Sequence, residues 1–489
     1  LPNEFHALNG VQVDALATFR LANNANLFQD ATASNTGNVI AERNVIFSAG
    51  RQQYNYLSSP VKNLNLKDIY KDGSGNAVTV PFVLYHNEAT NKFYNSSGAY
   101  IAGRALAVKE ATSTDFSGSP MKASFTGEPM NGSFNYTLVN SNTSDTNRGY
   151  NLIGNPYPSN LDLDAFYGAN STDLSPTFYF WDNKANTRTA QEGDLYGGQA
   201  YAQFNAATPP GTGSGTVATG DAGAGTKVPT RYVKIGQGFM ARTLVASKTV
   251  AFTNAIRSAG LSVGFFGKNT VPFDRYWLKM KSPTNITSQI AIVYFAGGNN
   301  GYTKDDSQSL GGSDAIYSTV ENEKISINGK DAFSNTDVVP LGSNHFSTGN
   351  YTIALDEEKN GIFANGQIIY LKDKHTGILT NLSEGEYQFT ANEGENSGRF
   401  EIVYVPEIYL ATNNTTENLI IYKDGSDFII KAKSKKITEV EVYDSSGRMI
   451  NKIKPNSTIV VINSEKLNNG IYILKVNQGG EITTKKVIK

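Results

Sequence analysis

The sequence predicts an all-β protein: tandem β-sandwich or jelly-roll-like domains after a short β-solenoid-like N-terminal segment, ending in a small Ig-like sandwich. Three observations carry that expectation. Short runs of β-branched and aromatic residues recur along the chain, as in Val80-Pro81-Phe82-Val83-Leu84-Tyr85 and Phe178-Tyr179-Phe180-Trp181. Asn, Asp and Gly corners separate these runs, residues that accept the backbone angles tight turns demand. The closing stretch, Asn418 to Lys489, falls into three successive hairpins.

Composition sets the bounds. A chain of 489 residues is too long for one hydrophobic core, so about three domains are expected. Apolar residues make up 39% and charged residues 18%, which describes a soluble protein with a sparsely charged surface. The net charge of −1 argues against nucleic acid as a partner, because phosphate binding needs a basic field. There are no cysteines, which excludes disulfides, thiolate zinc sites and a Cys nucleophile. No apolar run approaches the length of a transmembrane segment. The chain begins at Leu1 without a basic-then-apolar leader and is expected to be a mature or truncated product.

Residues 1–50 hold short strand signals, Gln12 to Leu21 and Val39-Ile40, between Asn/Gly corners. They fit either the last rungs of a parallel β-solenoid, which further rungs would have preceded, or an N-terminal strand pair of the following domain. Residues 51–267 form an aromatic-rich β domain. In its segment Tyr150 to Ser159, Pro156 and Pro158 each fix φ and delete a donor, which forces an extended path across the top of a sheet. The Gly-rich stretch from Ala206 to Thr230 lacks the Gly-x-x-x-x-Gly-Lys-Ser/Thr pattern of a phosphate loop, and a mobile surface loop is expected.

Residues 271–405 are expected to form a β-sandwich, with Phe273–Met280 and Ser288–Phe295 as neighbouring antiparallel strands. A polar linker spans 406–417, and the terminal domain spans 418–489. Its hairpins turn at Asp424-Gly425-Ser426-Asp427, at Asp444 to Arg448 and at Gln478-Gly479-Gly480.

The order of motifs in that tail is specific. Val442-Tyr443-Asp444, then Gly447-Arg448, then Leu467, Gly470-Ile471-Tyr472 and Lys475-Val476, and finally Lys485-Lys486 resemble the type A C-terminal sorting domain of the Bacteroidetes type 9 secretion system. One departure is that Ile462-Asn463-Ser464 stands where members carry an acidic residue, with Glu465 the nearest carboxylate. The resemblance implies export through the type 9 translocon, docking on its outer-membrane shuttle barrel, and processing by a sorting peptidase. Arg448, Lys485 and Lys486 are the residues singled out for the docking contact. Upstream, Tyr56 to Val61, Asn151 to Ser159, Trp181-Asp182 and Gly236-Gln237-Gly238-Phe239 resemble a domain recurrent in large secreted and surface proteins of Bacteroidetes, often adhesin-like.

Catalytic patterns are sparse. His6, His86, His345 and His375 are scattered and share no metal-ligand spacing. The pairs Asp162/Asp164 and Asp305/Asp306 supply carboxylates, but adjacency alone does not place two of them across a cleft. Calcium is the more credible ligand: Asp72 with Asn76, and Asp424 with Asp427, offer oxygens at short spacing, although both sites are also ordinary hairpin turns. No other cofactor is expected. The overall expectation is a non-enzymatic secreted or cell-surface protein, an adhesin, with a glycan-binding or glycan-degrading protein that contacts surface glycans as the alternative.

Overall fold

A computed structural model describes residues 4–405 and 419–489, apart from 24, 46–53, 72–75, 79, 81, 110–120, 183–200, 208–213, 222–227, 259–272, 313, 425–426, 434, 445, 466 and 469. Nearly all regular structure is β, with one eight-residue α-helix, Leu163–Asn170, among the described residues. Contacts divide the chain into two compact units, Leu1–Val405 and Pro406–Lys489.

The first unit opens with a two-rung parallel coil. Strand Glu4–Ala7 pairs parallel with Asn26–Gln29, Gln12 bridges Thr36, and Phe19–Leu21 pairs parallel with Val39–Val45. One turn therefore takes roughly 20–24 residues, the length of a solenoid repeat. The second rung is also a strand of the next sheet, because Val39–Val45 pairs antiparallel with Met121–Gly127 along its whole length. Both readings of 1–50 thus describe part of the same object. Leu21, Leu27, Val39 and Ala41 share a core with Val61, Phe125 and Ile235.

Arg257 locks the coil to the two-proline segment. It is buried and donates from Nε to Ser159 Oγ (2.8 Å), from Nη1 to Asn131 Oδ1 (3.0 Å) and from Nη2 to the Leu27 carbonyl (2.5 Å), with its guanidinium 5.0 Å from the Tyr157 ring. Burial pushes its pKa down to about 10, so it stays charged at neutral pH. Backbone bonds run the same segment along the coil: the Leu27 N–H donates to the Pro158 carbonyl (2.7 Å) and Asn160 N–H to Asn26 Oδ1 (2.8 Å). Asn155 holds the segment's shape. Its Nδ2 donates to the Ser159 (2.7 Å), Val233 (3.2 Å) and Lys234 (3.3 Å) carbonyls, and its Oδ1 accepts from Tyr157 N–H (3.0 Å).

Two sheets then face each other. One is four-stranded, in the order Tyr54–Ser58, Ala105–Lys109, Val83–Asn87, Lys92–Asn95; the other is five-stranded and centred on Gly238–Thr243 and Leu174–Trp181. Tyr54, Tyr56, Leu84, Phe93, Leu152, Tyr179, Tyr201 and Met240 belong to one core cluster between them. Side chains alternate along strands, so the other face of the five-stranded sheet sends Ile153, Phe178, Phe204 and Phe239 toward the helix and its Phe166.

The Gly-rich stretch departs from the surface-loop expectation. Ser214–Thr216 adds to Tyr201–Asn205, Gly220–Asp221 pairs with Ile286–Tyr294, and Val217 and Ala218 between them are buried. Small residues are what permit this. A Cβ on Gly215 would sit 2.6 Å from the Pro229 carbonyl oxygen, and the Gly215 carbonyl accepts from Trp277 Nε1 (2.7 Å). The remainder, 208–213 and 222–227, lies outside the described residues.

From Asp274 to Val403 the described chain supplies eleven strands of a 12-stranded sheet system, Gly220–Asp221 being the twelfth, with Asp274–Lys281 and Ile286–Tyr294 antiparallel neighbours as the sequence predicted. Tyr276, Leu278 and Met280 enter one core and Trp277 the other, the period of two that strands impose. A hydroxyl chain closes it: Tyr276 to Tyr404 (2.6 Å), Tyr404 to Tyr294 (2.6 Å) and Tyr294 to Asp337 Oδ2 (2.7 Å). Polar bonds tie this sandwich to the preceding sheets, with Thr177 Oγ1 2.8 Å from Ser307 Oγ and Asn205 Nδ2 donating to Ser307 Oγ (3.1 Å).

Among the described residues the second unit is a seven-stranded sandwich. Leu419–Asp424, Asp427–Ala432 and Ile459–Ile462 form one sheet; Met449–Ile453, Glu439–Asp444, Ile471–Gln478 and Glu481–Ile488 form the other. Its core includes Phe428, Ile430, Val440, Val442, Leu474 and Val476.

Candidate functional site

Most of the motif residues in the terminal sandwich hold its shape. Val442 and Val476 are core, and Tyr472 is buried with its hydroxyl donating to the Asn468 carbonyl (2.8 Å). Asp444 builds the second hairpin turn by accepting from Ser446 Oγ (2.6 Å), Ser446 N–H (3.0 Å) and Arg448 N–H (3.0 Å), and its Oδ2 pairs with Arg448 Nε (3.1 Å). The Ser446 hydroxyl leads these contacts in holding the Asp444 pKa below its usual value. Gly447 sits at φ +82° with open space where a side chain would go. Gly447→Ala is therefore expected to cost the strain of that backbone angle alone, about 1 kcal/mol, read as a lower urea midpoint for the second unit.

Lys475 is part of a cross-strand ladder. Glu441 stands opposite both Lys452 and Lys475, accepting from Lys452 Nζ (2.7 Å) and Tyr443 Oη (2.9 Å) and lying 3.1 Å from Lys475 Nζ. Lys452, then Lys475 and Tyr443, hold the Glu441 carboxyl at about 2. The Leu467–Gly470 segment is clasped from the last residue: Gly470 and Lys489 exchange backbone bonds, and Lys489 Nζ donates to the Ser464 and Leu467 carbonyls.

The three cations singled out for docking separate. Arg448 is exposed, its side chain 76% accessible, and Lys486 is exposed, whereas Lys485 alternates to the inner face beside Val487 and is buried. Of the outward apolar residues of the four-stranded sheet the motif pattern held Ile471 and missed Met449, Ile450, Ile482 and Ile488, of which Ile482 is 56% exposed. Alternation along those strands was the available signal.

Of the calcium candidates, Asp72 and the side chain of Asp424 lie outside the described residues, Asn76 is exposed, and Asp427 Oδ1 accepts from Ser464 N–H (3.3 Å). Among the described residues no group of three or more His, Cys, Asp or Glu could hold a metal ion. The carboxylate pairs take structural roles. Asp162 caps the helix Leu163–Asn170 and accepts from Arg231 Nε (2.9 Å), and Arg231 also reaches Asp164 (3.3 Å). Asp306 accepts from Thr303 N–H (2.8 Å) and Gly329 N–H (3.0 Å), and burial pushes its pKa up to about 7.

The histidines stay apart. His6 pairs with Asp30 (2.8 Å), His86 Nε2 lies 3.0 Å from Asn91 Oδ1, His345 packs edge-on against Tyr351 (4.4 Å), and the His375 backbone N–H donates to Asp373 Oδ1 (2.9 Å).

The first unit also carries a cleft of about 160 Å³ that no sequence pattern announced. Phe93, Tyr150, Tyr179 and Tyr201 wall it, with Asn91 and the exposed Asn147 beside them. Met240 completes the lining from the five-stranded sheet and Leu310 from the following sandwich, so the cleft lies where the two bodies of β structure meet. Among the described residues no carboxylate, histidine or cation lines it.

An all-β cargo body followed by a separate, self-cored terminal sandwich with clasped hairpins is the construction of a chain carrying a sorting signal. Residues 425–489 match the family model described as a secretion system C-terminal sorting domain, so the protein is cargo of the type 9 secretion system, exported to the cell surface or the extracellular space. The chain belongs to the family described as Domain of unknown function (DUF8693), whose model matches residues 3–404. No curated protein matches the chain. No helix among the described residues is long and apolar enough to cross a membrane.

Proposed function

We propose that the protein is a non-enzymatic adhesin, displayed on the cell surface after type 9 export. The observation that carries this reading is the cleft, because its described lining, aromatic rings with two asparagine amides, is suited to holding a ligand and brings no carboxylate, histidine or lysine to turn one over. Asp162, Asp164 and Asp306 support it, being engaged with Arg231 or with backbone N–H groups.

During export the terminal sandwich docks on the shuttle barrel near the translocon through its outer apolar residues and the exposed Arg448 and Lys486, and a sorting peptidase then acts upstream of it. Beads coated with the purified chain are expected to adhere to cells or polysaccharide surfaces well above albumin-coated beads. Equal adhesion would remove the adhesin reading, and release of reducing sugar from any offered glycan would remove the non-enzymatic one.

A further inference from the structure

We propose that the aromatic cleft binds one neutral pyranose unit, an end or a single residue of a glycan chain. This rests on the adhesin reading and names its ligand contact. Size is the first argument. At about 160 Å³ the cleft is close to the ~150 Å³ that accommodates one benzene-sized ring, and well short of the ~300 Å³ at which drug-sized ligands begin to be enclosed. It takes one ring, not a chain laid lengthwise.

Charge is the second. Phosphate, sulfate, a carboxylated sugar or a peptide terminus would give up hydration against Phe, Tyr and Asn with no counter-charge among the described lining residues, and burying an unpaired charge is the costliest form of desolvation. The ligand is therefore uncharged. The third is the mixture of wall chemistries. Tyr150, the one half-buried ring of the wall, presents apolar surface to the C–H face of a sugar ring, while the amides of Asn91 and Asn147 both donate and accept, which suits hydroxyl groups on the ring's edge. An apolar peptide side chain of the same size would cover those amides without answering them.

The walls are also held in place, so little ordering remains to be done on binding. The Tyr201 hydroxyl is 2.6 Å from that of Tyr56, and the Tyr150 ring lies edge-on to Tyr179 (5.5 Å) with Arg242 5.5 Å from its centroid. The loop carrying Asn147 is anchored by Glu88, only 7% exposed, which accepts from Ser141 N–H (2.9 Å) and Gly149 N–H (2.7 Å). Asn91 is oriented by His86 (3.0 Å).

The test is saturation-transfer NMR and calorimetry on the purified full chain with a panel of neutral monosaccharides and disaccharides. At least one is expected to bind saturably. Asn147→Ala should weaken that binding about tenfold, the scale of one net hydrogen bond, with an unchanged melting transition because only its exposed side chain is removed. Tyr150→Phe keeps the ring and should stay within about threefold, whereas Tyr150→Ala should abolish binding. If no member of the panel binds, or if binding ignores both Asn147→Ala and Tyr150→Ala, the proposal is overturned. Bead adhesion measured in parallel separates the two readings. Variants that lose the sugar yet adhere like the parent overturn the cleft as the adhesive contact and leave adhesion standing. A parent that binds sugar at the cleft without adhering keeps the site and removes the adhesin.

Discussion

Deleting residues 406–489 is expected to leave a folded cargo retained in the periplasm, with the surface and medium fractions reduced by more than an order of magnitude. The physical basis is that, among the described residues, each core cluster draws on one unit alone. The clusters that fill the first unit draw on residues up to Tyr404, and the cluster of the second begins at Leu419. Removing the second unit therefore withdraws no buried apolar surface from those clusters, and the melting transition of the truncated chain should match the cargo transition of the full one. Fractionation with immunodetection reads the location, and surface display at the parental level would refute the role of the tail. Point changes should behave differently from deletion. Asp444 and Glu441 fix turn and ladder geometry, so substitutions there act through the fold of the signal, while Arg448→Ala and Lys486→Ala remove exposed charge and leave the fold in place. Retention caused by the second pair alone would mean that the carrier reads charge and not shape.

How much of the fold was legible in the chain depends on the distance over which each feature is written. The terminal hairpins were, because a hairpin is specified by adjacent residues: alternation in Glu439 to Tyr443 and a turn from Asp444 to Arg448 need nothing from elsewhere. The coil rungs were half visible. Their Asn and Gly corners are local, but the strand that makes Val39–Val45 part of a second sheet lies some eighty residues further on, at Met121–Gly127. The Gly-rich segment misled for a related reason. Small residues signal flexibility when nothing covers them and close packing when something does, and what covers Gly215 is Trp277, 62 residues away. The proline segment was visible as a corner, whereas the Asn155 clamp depends on carbonyls at Val233 and Lys234. The cleft was not legible at all, since its lining is gathered from Asn91 to Leu310 and only Asn91 with Phe93, and Asn147 with Tyr150, lie close in sequence.

The largest stability effect of a single substitution is expected at Asp373. Its side chain is fully buried at the end of the strand Tyr370–Asp373, where Arg399 Nη2 reaches Oδ2 at 2.7 Å and Nε lies 3.1 Å from both oxygens. Tyr387 donates to Oδ2 (2.8 Å) and the His375 N–H to Oδ1 (2.9 Å). Arg399 is in turn held between rings, 5.0 Å from Phe389 and 4.8 Å from Phe400. Burial alone would raise the Asp373 pKa, but Arg399, then Tyr387 and the His375 amide, bring it down to about 2. Asp373→Ala strands a guanidinium and a tyrosine hydroxyl inside the sandwich and should cost about 3–5 kcal/mol, the penalty for breaking a buried pair from one side. In a thermal melt that is a drop on the order of 10 °C in the cargo transition. Because the folded pKa lies below the unfolded ~3.9, the carboxylate's contribution of about 2–3 kcal/mol is complete above pH ~4 and disappears as pH falls through the folded value near 2. Asp373→Asn keeps the volume and loses the charge, so it should flatten stability over that acid window while leaving the rest of the pH profile unchanged. An Asp373→Ala transition that stayed at the parental temperature would show instead that the strand Tyr370–Asp373 is held by apolar packing, through Leu371 and its partner Ile402, without help from the ion pair.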